Sequence, residues 1–233
     1  MGLHYLLWKG TNSSTKHIRV RNRMPIIRPQ ERVNHITIPG RAGELTQLEG
    51  EDIYEPYIQT ANISVVGAAN VQAAEAWLTG SGMVTFDSQP GLQQSARIIN
   101  AVTFEKHSRN VDTWHADVQF YCDPIKSDPN EEDIEVTSSG TTLTNPGTLP
   151  AFPLMEITGS GAVSITIDGK QLIIPDLTTG WVADCGNKWI LGNNTPQFNA
   201  WTGEFPAIPT GTSTITFTGS ITKIKITPRW RYL

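Results

Sequence analysis

Asp176, Asp184 and Glu204 lie close in sequence to Trp181, Trp189 and Trp201, and carboxylates beside tryptophans are the residue types of glycoside cleavage and sugar binding. Cleavage needs two carboxyl groups held ~5–9 Å apart, one donating a proton while the other acts as base or nucleophile. That separation is a property of a fold, and spacing in the chain does not set it. The tryptophans offer a second chemistry, because an indole face is a broad apolar platform with a polar edge. Core or interface packing is the plainer use of such residues in a β-rich chain and is the expectation here. Saccharide stacking by Trp181, Trp189 and Trp201 is the alternative.

Other chemistries find less support. The five histidines all precede residue 126, and none forms HxH, HExxH or a Cys/His cluster, so no metal site is expected. His115 alternates with Asp117 on the polar face of a strand, the position of a surface histidine. There is no G-x-S-x-G elbow for a nucleophile. The stretch GRAGEL at 40–45 lacks both the spacing and the Lys-Ser/Thr of a phosphate-binding loop. Cys122 and Cys185 form no CxxC pair and are expected as buried free thiols. No cofactor is implied.

With 38% hydrophobic and 17% charged residues over 233 positions, the chain has the composition of a globular protein and the length for one large core or two smaller ones. A net charge of −4 gives no general electrostatic reason to bind DNA or an anionic membrane. Charge is nonetheless uneven: residues 1–41 hold eight Lys and Arg against Glu31 alone, a balance of +7. Strands with solvated edges account for this more simply than a basic arm, since Pro25 and apolar residues interrupt the run. The apolar run Tyr5–Trp8 is too short for a signal peptide or a membrane span, so a cytoplasmic site of synthesis without membrane insertion is expected.

The elements that would position these residues are strands. In TWHADVQFYC, residues 114, 116, 118, 120 and 122 are apolar and alternate with polar ones, the signature of a half-buried strand. VNHITI, ANISVV, MVTF, SARIINAVTF and AVSITI read the same way. Asp168-Gly169 predicts a two-residue hairpin pairing Ile165 with Leu172 and Val163 with Ile174. Gly219-Ser220 predicts another, with Ile215 opposite Ile224, Phe217 opposite Thr222 and Ser213 opposite Ile226. A single helix is predicted over NVQAAEAWLTG, with Asn70 as N-cap, Val71, Ala74 and Leu78 on one stripe, Trp77 as a packing anchor and Gly80 as the stop. The Asp-Pro turns and acids of CDPIKSDPNEEDIEV place a linker near residues 125–135, dividing the chain into domains 1–128 and 129–233.

In ITIPGRAGELTQLEG, Pro39 ends a strand while Gly40 and Gly43 permit backbone angles that other residues resist, so the segment reads as a turn.

Taken in order, IPGRAGEL at 38–45, AWLTGSGMVTFDSQP at 76–90, ARIINAVTF at 96–104, FYCDP at 120–124, NPGTLPAFPLMEITGSGAVSITIDGKQLII at 145–174 and IKITPRWRYL at 224–233 resemble the distal tail protein (Dit) family of siphophage-type bacteriophages and prophages. The resemblance spans nearly the whole chain and rests on order and spacing, since each motif is a strand with its turn. It implies a mainly β fold: an N-terminal β-sandwich-like domain with one short helix that forms a ring, then a galectin-like antiparallel β-sandwich. It further implies a structural protein of the virion tail tip or baseplate, assembled in the bacterial host cytoplasm. A homo-hexamer would act as the hub joining the tail tube protein to a tail-associated lysin or receptor-binding protein. The tape measure protein, and later DNA, would only pass through the ring lumen. No catalytic, cofactor-binding or metal-binding residues are implied.

A ring subunit must satisfy exposed edges and hairpins by pairing with its neighbours. The segment PGRAGELTQLEGEDIYEP suits such a contact, with Arg41 and Glu44 as charged groups and Leu45, Leu48, Ile53 and Tyr54 as apolar area. The sugar-binding pattern of galectins is absent: only WTGE at 201–204 resembles part of it, and no histidine follows residue 126. Alternatives are a carbohydrate-binding module of a virion adhesion device, a hydrolase, or a tail tube protein. The second sandwich argues against the last.

Overall fold

The computed structural model describes residues 4–178 and 180–233. The fold is mainly β with curled antiparallel sheets, and the described residues contain a single α-helix. The chain divides into two compact units, the first reaching Lys126 and the second spanning Ser127–Tyr232.

The first unit contains β1 (Leu6–Trp8), β2 (Thr11–Asn12), β3 (Ile18–Val20), β4 (Val33–Thr37), β5 (Glu44–Leu48), β6 (Tyr57–Val66), α1 (Ala68–Trp77), β7 (Ser81–Phe86), β8 (Gln94–Ile98), β9 (Glu105–Ser108) and β10 (Val111–Cys122). Its main sheet runs β2-β1-β7-β8-β10-β6-β3, with β9 on β10. A bridge from His4 to Val20 brings the β1 side back to β3, so the sheet curls on itself. Strand β10 is the spine: it pairs with β6 from Thr113↔Val66 to Cys122↔Tyr57 without a break. Its alternation is as the sequence predicts, with Ala116, Val118, Phe120 and Cys122 buried. Phe120 receives the edges of Trp8 and Phe86, with ring centroids 5.3 and 5.8 Å away. These contacts join three strands that are distant in the chain.

Two local expectations fail here for identifiable reasons. The helix begins at Ala68, two residues before Asn70, with Gly67 at the N-cap. Asp112 of β10 replaces a local side-chain cap: its backbone oxygen accepts from Gly67 N–H at 2.8 Å and its carboxylate from Ala68 N–H at 3.0 Å. Asn70 lies in the first turn and donates to Val66 O. The run SARIINAVTF is strand only as far as Ile98. Beyond it the Asn100 side chain takes over the ladder, donating to Asp117 O and accepting from Gln119 N–H, both at 2.8 Å.

The second unit contains β11 (Ile134–Val136), β12 (Thr141–Asn145), β13 (Leu154–Ile167), β14 (Lys170–Leu177), β15 (Trp181–Asp184), β16 (Trp189–Gly192), β17 (Thr195–Pro196), β18 (Thr202–Gly203) and β19 (Gly211–Thr227). The Asp168-Gly169 hairpin pairs Val163 with Ile174 and Ile165 with Leu172, as predicted. The Gly219-Ser220 hairpin does not form. Residues 211–227 are one strand that pairs with β11, β12 and β13. Gly219 sits in that strand at φ +88, where an added Cβ would collide with the Ala162 carbonyl. The β13–β19 register shifts on either side of Gly159 and Ser160. Gly219 therefore marks an irregularity with close backbone approach, which a glycine in a strand signals as readily as a turn. Met155, Ile157, Ile165, Ile174, Ile215, Ile224 and Ile226 fill the core.

Candidate functional site

Strands β4 and β5 form a two-stranded hairpin of their own, with Val33 opposite Leu48, Ile36 opposite Leu45 and Thr37 opposite Glu44. The half-buried strand predicted for VNHITI is instead exposed at nearly every position, because among the described residues no second layer covers either face. Ile36, Ile38, Leu45, Leu48 and Ile53 are all exposed, Leu48 by 57%. At the tip, Arg41 N–H donates to Ile38 O at 3.2 Å, while Gly40 and Gly43 take φ +81 and +82 with open space around them. The base is fastened by Arg32. Its guanidinium meets Glu55 at 2.9 Å and Glu49 at 3.8 Å, and its backbone bonds to Ile53 and Glu49. Tyr54 is half-buried at the base, bridged to Glu31. Glu44 faces His35 at 3.3 Å.

The proposed contact residues thus fall on one projecting ribbon: Arg41 at its tip, Glu44, Leu45 and Leu48 on one strand, Ile53 and Tyr54 at its foot. Exposed aliphatic side chains on both faces of a ribbon this thin leave apolar area without cover, the pattern of an association surface.

The three candidate tryptophans of the second unit differ in exposure. Trp181 is 5% exposed, with its Nε1 donating to Thr178 Oγ1 at 2.7 Å and its ring lying over Gly192. Such a ring is part of the core and offers a sugar no face. Trp189 is half-buried on β16, and Trp201 is half-buried with its ring 4.6 Å from that of Phe205. Sequence reading passed over Phe198, which is 82% exposed among Gln197, Asn199 and Ala200. An aromatic flanked by amides between Pro196 and Trp201 was the available signal.

The carboxylates do not converge as an acid and base pair would. Asp184 is buried, and both its oxygens are occupied by Gly186, Asn187 and Arg229 donors at 2.9–3.1 Å. Asp176 is exposed on β14, and Glu204 is exposed just past β18 with its N–H donating to Gln171 O at 2.8 Å. In the first unit, His115 stacks on His107 with ring centroids 4.4 Å apart. Its partial burial, Arg21 and His107 all push its imidazole below the ordinary value, favouring the neutral ring.

The overall fold has a solved counterpart. The chain shares the fold of SPP1 Dit. The crystal structure of SPP1 Dit (gp 19.1), described as a paradigm of the hub adsorption apparatus in phages infecting Gram-positive bacteria, superposes with a TM-score of 0.73 at 17% identity, covering 100% of both chains. No family model and no curated protein sequence matches, so the likeness is one of fold. It extends through both units and includes the mainly β architecture expected from the sequence.

Proposed function

We propose that this chain is a structural subunit of a phage tail tip, a hub that joins the end of the tail tube to the receptor-binding or lysin protein. The observation that carries the reading is the end-to-end match in fold to SPP1 Dit, both units included. The uncovered β4–β5 ribbon supports it, because a chain that works alone has no use for a two-stranded hairpin with aliphatic side chains on both faces. In this reading the first unit, residues 1–128 in the sequence division, forms a hexameric ring through that ribbon, and the second, 129–233, projects from it. The tape measure protein and DNA pass through the lumen without being held. The chain has no catalytic part in this role and is assembled in the host cytoplasm.

Mass photometry of the purified chain, alone and mixed with its tail neighbours, tests this. A particle about six times the subunit mass is expected, with a central hole in electron micrographs. Single subunits under both conditions overturn it.

A second reading, saccharide binding by the projecting unit, is favoured by one observation: the 82% exposed ring of Phe198 lies near the half-buried Trp189 and Trp201 in sequence, among amide side chains. Cell-wall pull-down that survives Phe198→Ala, Trp189→Ala and Trp201→Ala would remove it.

A further inference from the structure

From Arg19 to Gln30 the chain carries Arg19, Arg21, Arg23 and Arg28 and no acid. Ile18, Val20 and Met24 on this segment are buried in the first core, while Arg19, Arg21 and Arg23 are exposed. Arg19 and Arg21 flank the buried Val20 and so share one exposed side, with Cα atoms about 6.6 Å apart at ~3.3 Å rise per residue, and Arg23 is exposed just past the bend at Asn22. The segment is fixed to the sheet beyond the end of β3. Asn22 donates to Thr60 O at 3.1 Å and accepts from Asn62 N–H at 2.8 Å, and Arg21 N–H donates to Asn62 O at 2.7 Å.

Among the described residues none of these arginines has an ion pair. Of the nearby acids, Asp87 is engaged with His4 and Asp117 with Asn62 at 2.6 Å, while Glu105 shares the Arg21 cleft. Arg19 borders an open cleft of about 380 Å³ with His4 and His17, and Arg21 borders another of about 410 Å³ with Glu105, His115 and Asp117. The arginines thus stand beside two open recesses.

The complementary charge is in the same chain. Residues 42–56 contain Glu44, Glu49, Glu51, Asp52 and Glu55 and no Lys or Arg. Arg32 holds Glu49 and Glu55, and His35 faces Glu44. Glu51 and Asp52, at the turn after β5, have no described ion-pair partner, and Asp52 takes φ +57 to make that turn.

We infer that the Glu51-Asp52 turn of one copy docks on the Arg19, Arg21, Arg23 ladder of the next. This rests on the ring reading above and names the charged half of its contact. Opposite charges on two different surfaces of one subunit give a head-to-tail contact, the kind that closes a ring, and complementary patches set register and association rate. A nucleic acid is the rival occupant, and the test below separates the two.

The test uses two variants of the full chain: Arg19→Glu/Arg21→Glu/Arg23→Glu, and Glu51→Arg/Asp52→Arg. Native mass spectrometry and sedimentation at about 0.15 M salt, where screening sets in beyond ~8 Å, should find each variant alone at subunit mass. Self-association should be weakened by at least about a hundredfold. An equimolar mixture should regain the wild-type particle mass, since alternating copies restore every contact, and that recovery also shows that both variants are folded. Reversals that leave the wild-type particle intact overturn the inference alone. So does a mixture that stays at subunit mass. Wild-type chain binding a single-stranded oligonucleotide through the ladder, with assembly unaffected by the reversals, also overturns it. A wild-type chain that never assembles overturns the ring reading as well.

Discussion

Arg229 Nη1 lies 3.0 Å from Asp184 Oδ2, tying the chain just past β19 to the end of β15. Two more donors on each side complete the clamp: Asp184 Oδ1 accepts from the Gly186 and Asn187 N–H groups, and the Glu131 carboxylate accepts from the backbone of Arg229 and Trp230. A carboxylate that the sequence offered as a catalytic candidate is a structural fastener.

Asp184→Asn should therefore destabilise the second unit by about 1–3 kcal/mol, the range for lost hydrogen bonds to a buried charged group. Burial raises the Asp184 carboxyl, but the Asn187 N–H, the Arg229 guanidinium and the Asn187 amide together hold it below the ordinary value. A depressed folded value contributes stability that is fully present above the unfolded value of ~3.9 and is lost as pH falls through the folded one. Thermal melts from pH 7 down to pH 2 should show the wild-type advantage over Asp184→Asn shrinking below about pH 4. An advantage that persists unchanged at pH 2 refutes the assignment.

Gly219→Val should destabilise by at least about 1–3 kcal/mol, because it adds a β-branched side chain at positive φ against the Ala162 carbonyl. Gly140→Val, also at positive φ but with open space around it, serves as the control for strain without collision. Equal midpoints in urea for the two variants would show that the close approach is unimportant.

That position also shows where the sequence was readable. Asp168-Gly169 and Gly219-Ser220 look alike as letters, each a dipeptide with one glycine between alternating runs. The first is a hairpin and the second is not, because the partners of residues 211–227 are β11, β12 and β13, which lie far away in the chain. Local turn chemistry does not encode that choice. Asn70 was displaced as N-cap by Asp112, again a residue from a distant strand. By contrast the β10 alternation and the Val163↔Ile174 register depend only on side-chain period and were legible. Composition marks the 39–56 segment as a candidate contact, whereas its isolation from both cores depends on tertiary layout. Phe198 was missed because exposure of one ring has no periodic signature.

Leu45→Ser/Leu48→Ser and Arg41→Ala/Glu44→Ala should reduce particle mass at micromolar concentration while leaving the melting curve nearly unchanged. The side chains are exposed, and surface substitutions shift folding by within about 0.5 kcal/mol. Size-exclusion chromatography with light scattering separates the two effects. A particle of unaltered mass in both variants removes the ribbon from the contact.

Burial pushes both the Cys122 and Cys185 thiols up to about 12. Neither should form an appreciable thiolate at pH 8, so the folded chain should react with a thiol-specific disulfide reagent only as fast as it opens, and both groups should react at once in denaturant. A rapid reaction of either in buffer would contradict the buried placement.

Strand β19 has a consequence for biosynthesis. It is the common partner of β11, β12 and β13, all of which precede it in the chain. While a ribosome is still making residues 134–210, the nascent second unit has unmatched edges and no means of completing its sheet. Folding there must wait for translation to pass Thr227, and non-local pairing of this kind is slow and exposed to misassociation. Premature termination within 211–227 would therefore yield chains with one sound unit and one sticky one, and in the ring proposed above such chains would poison a particle of complete copies.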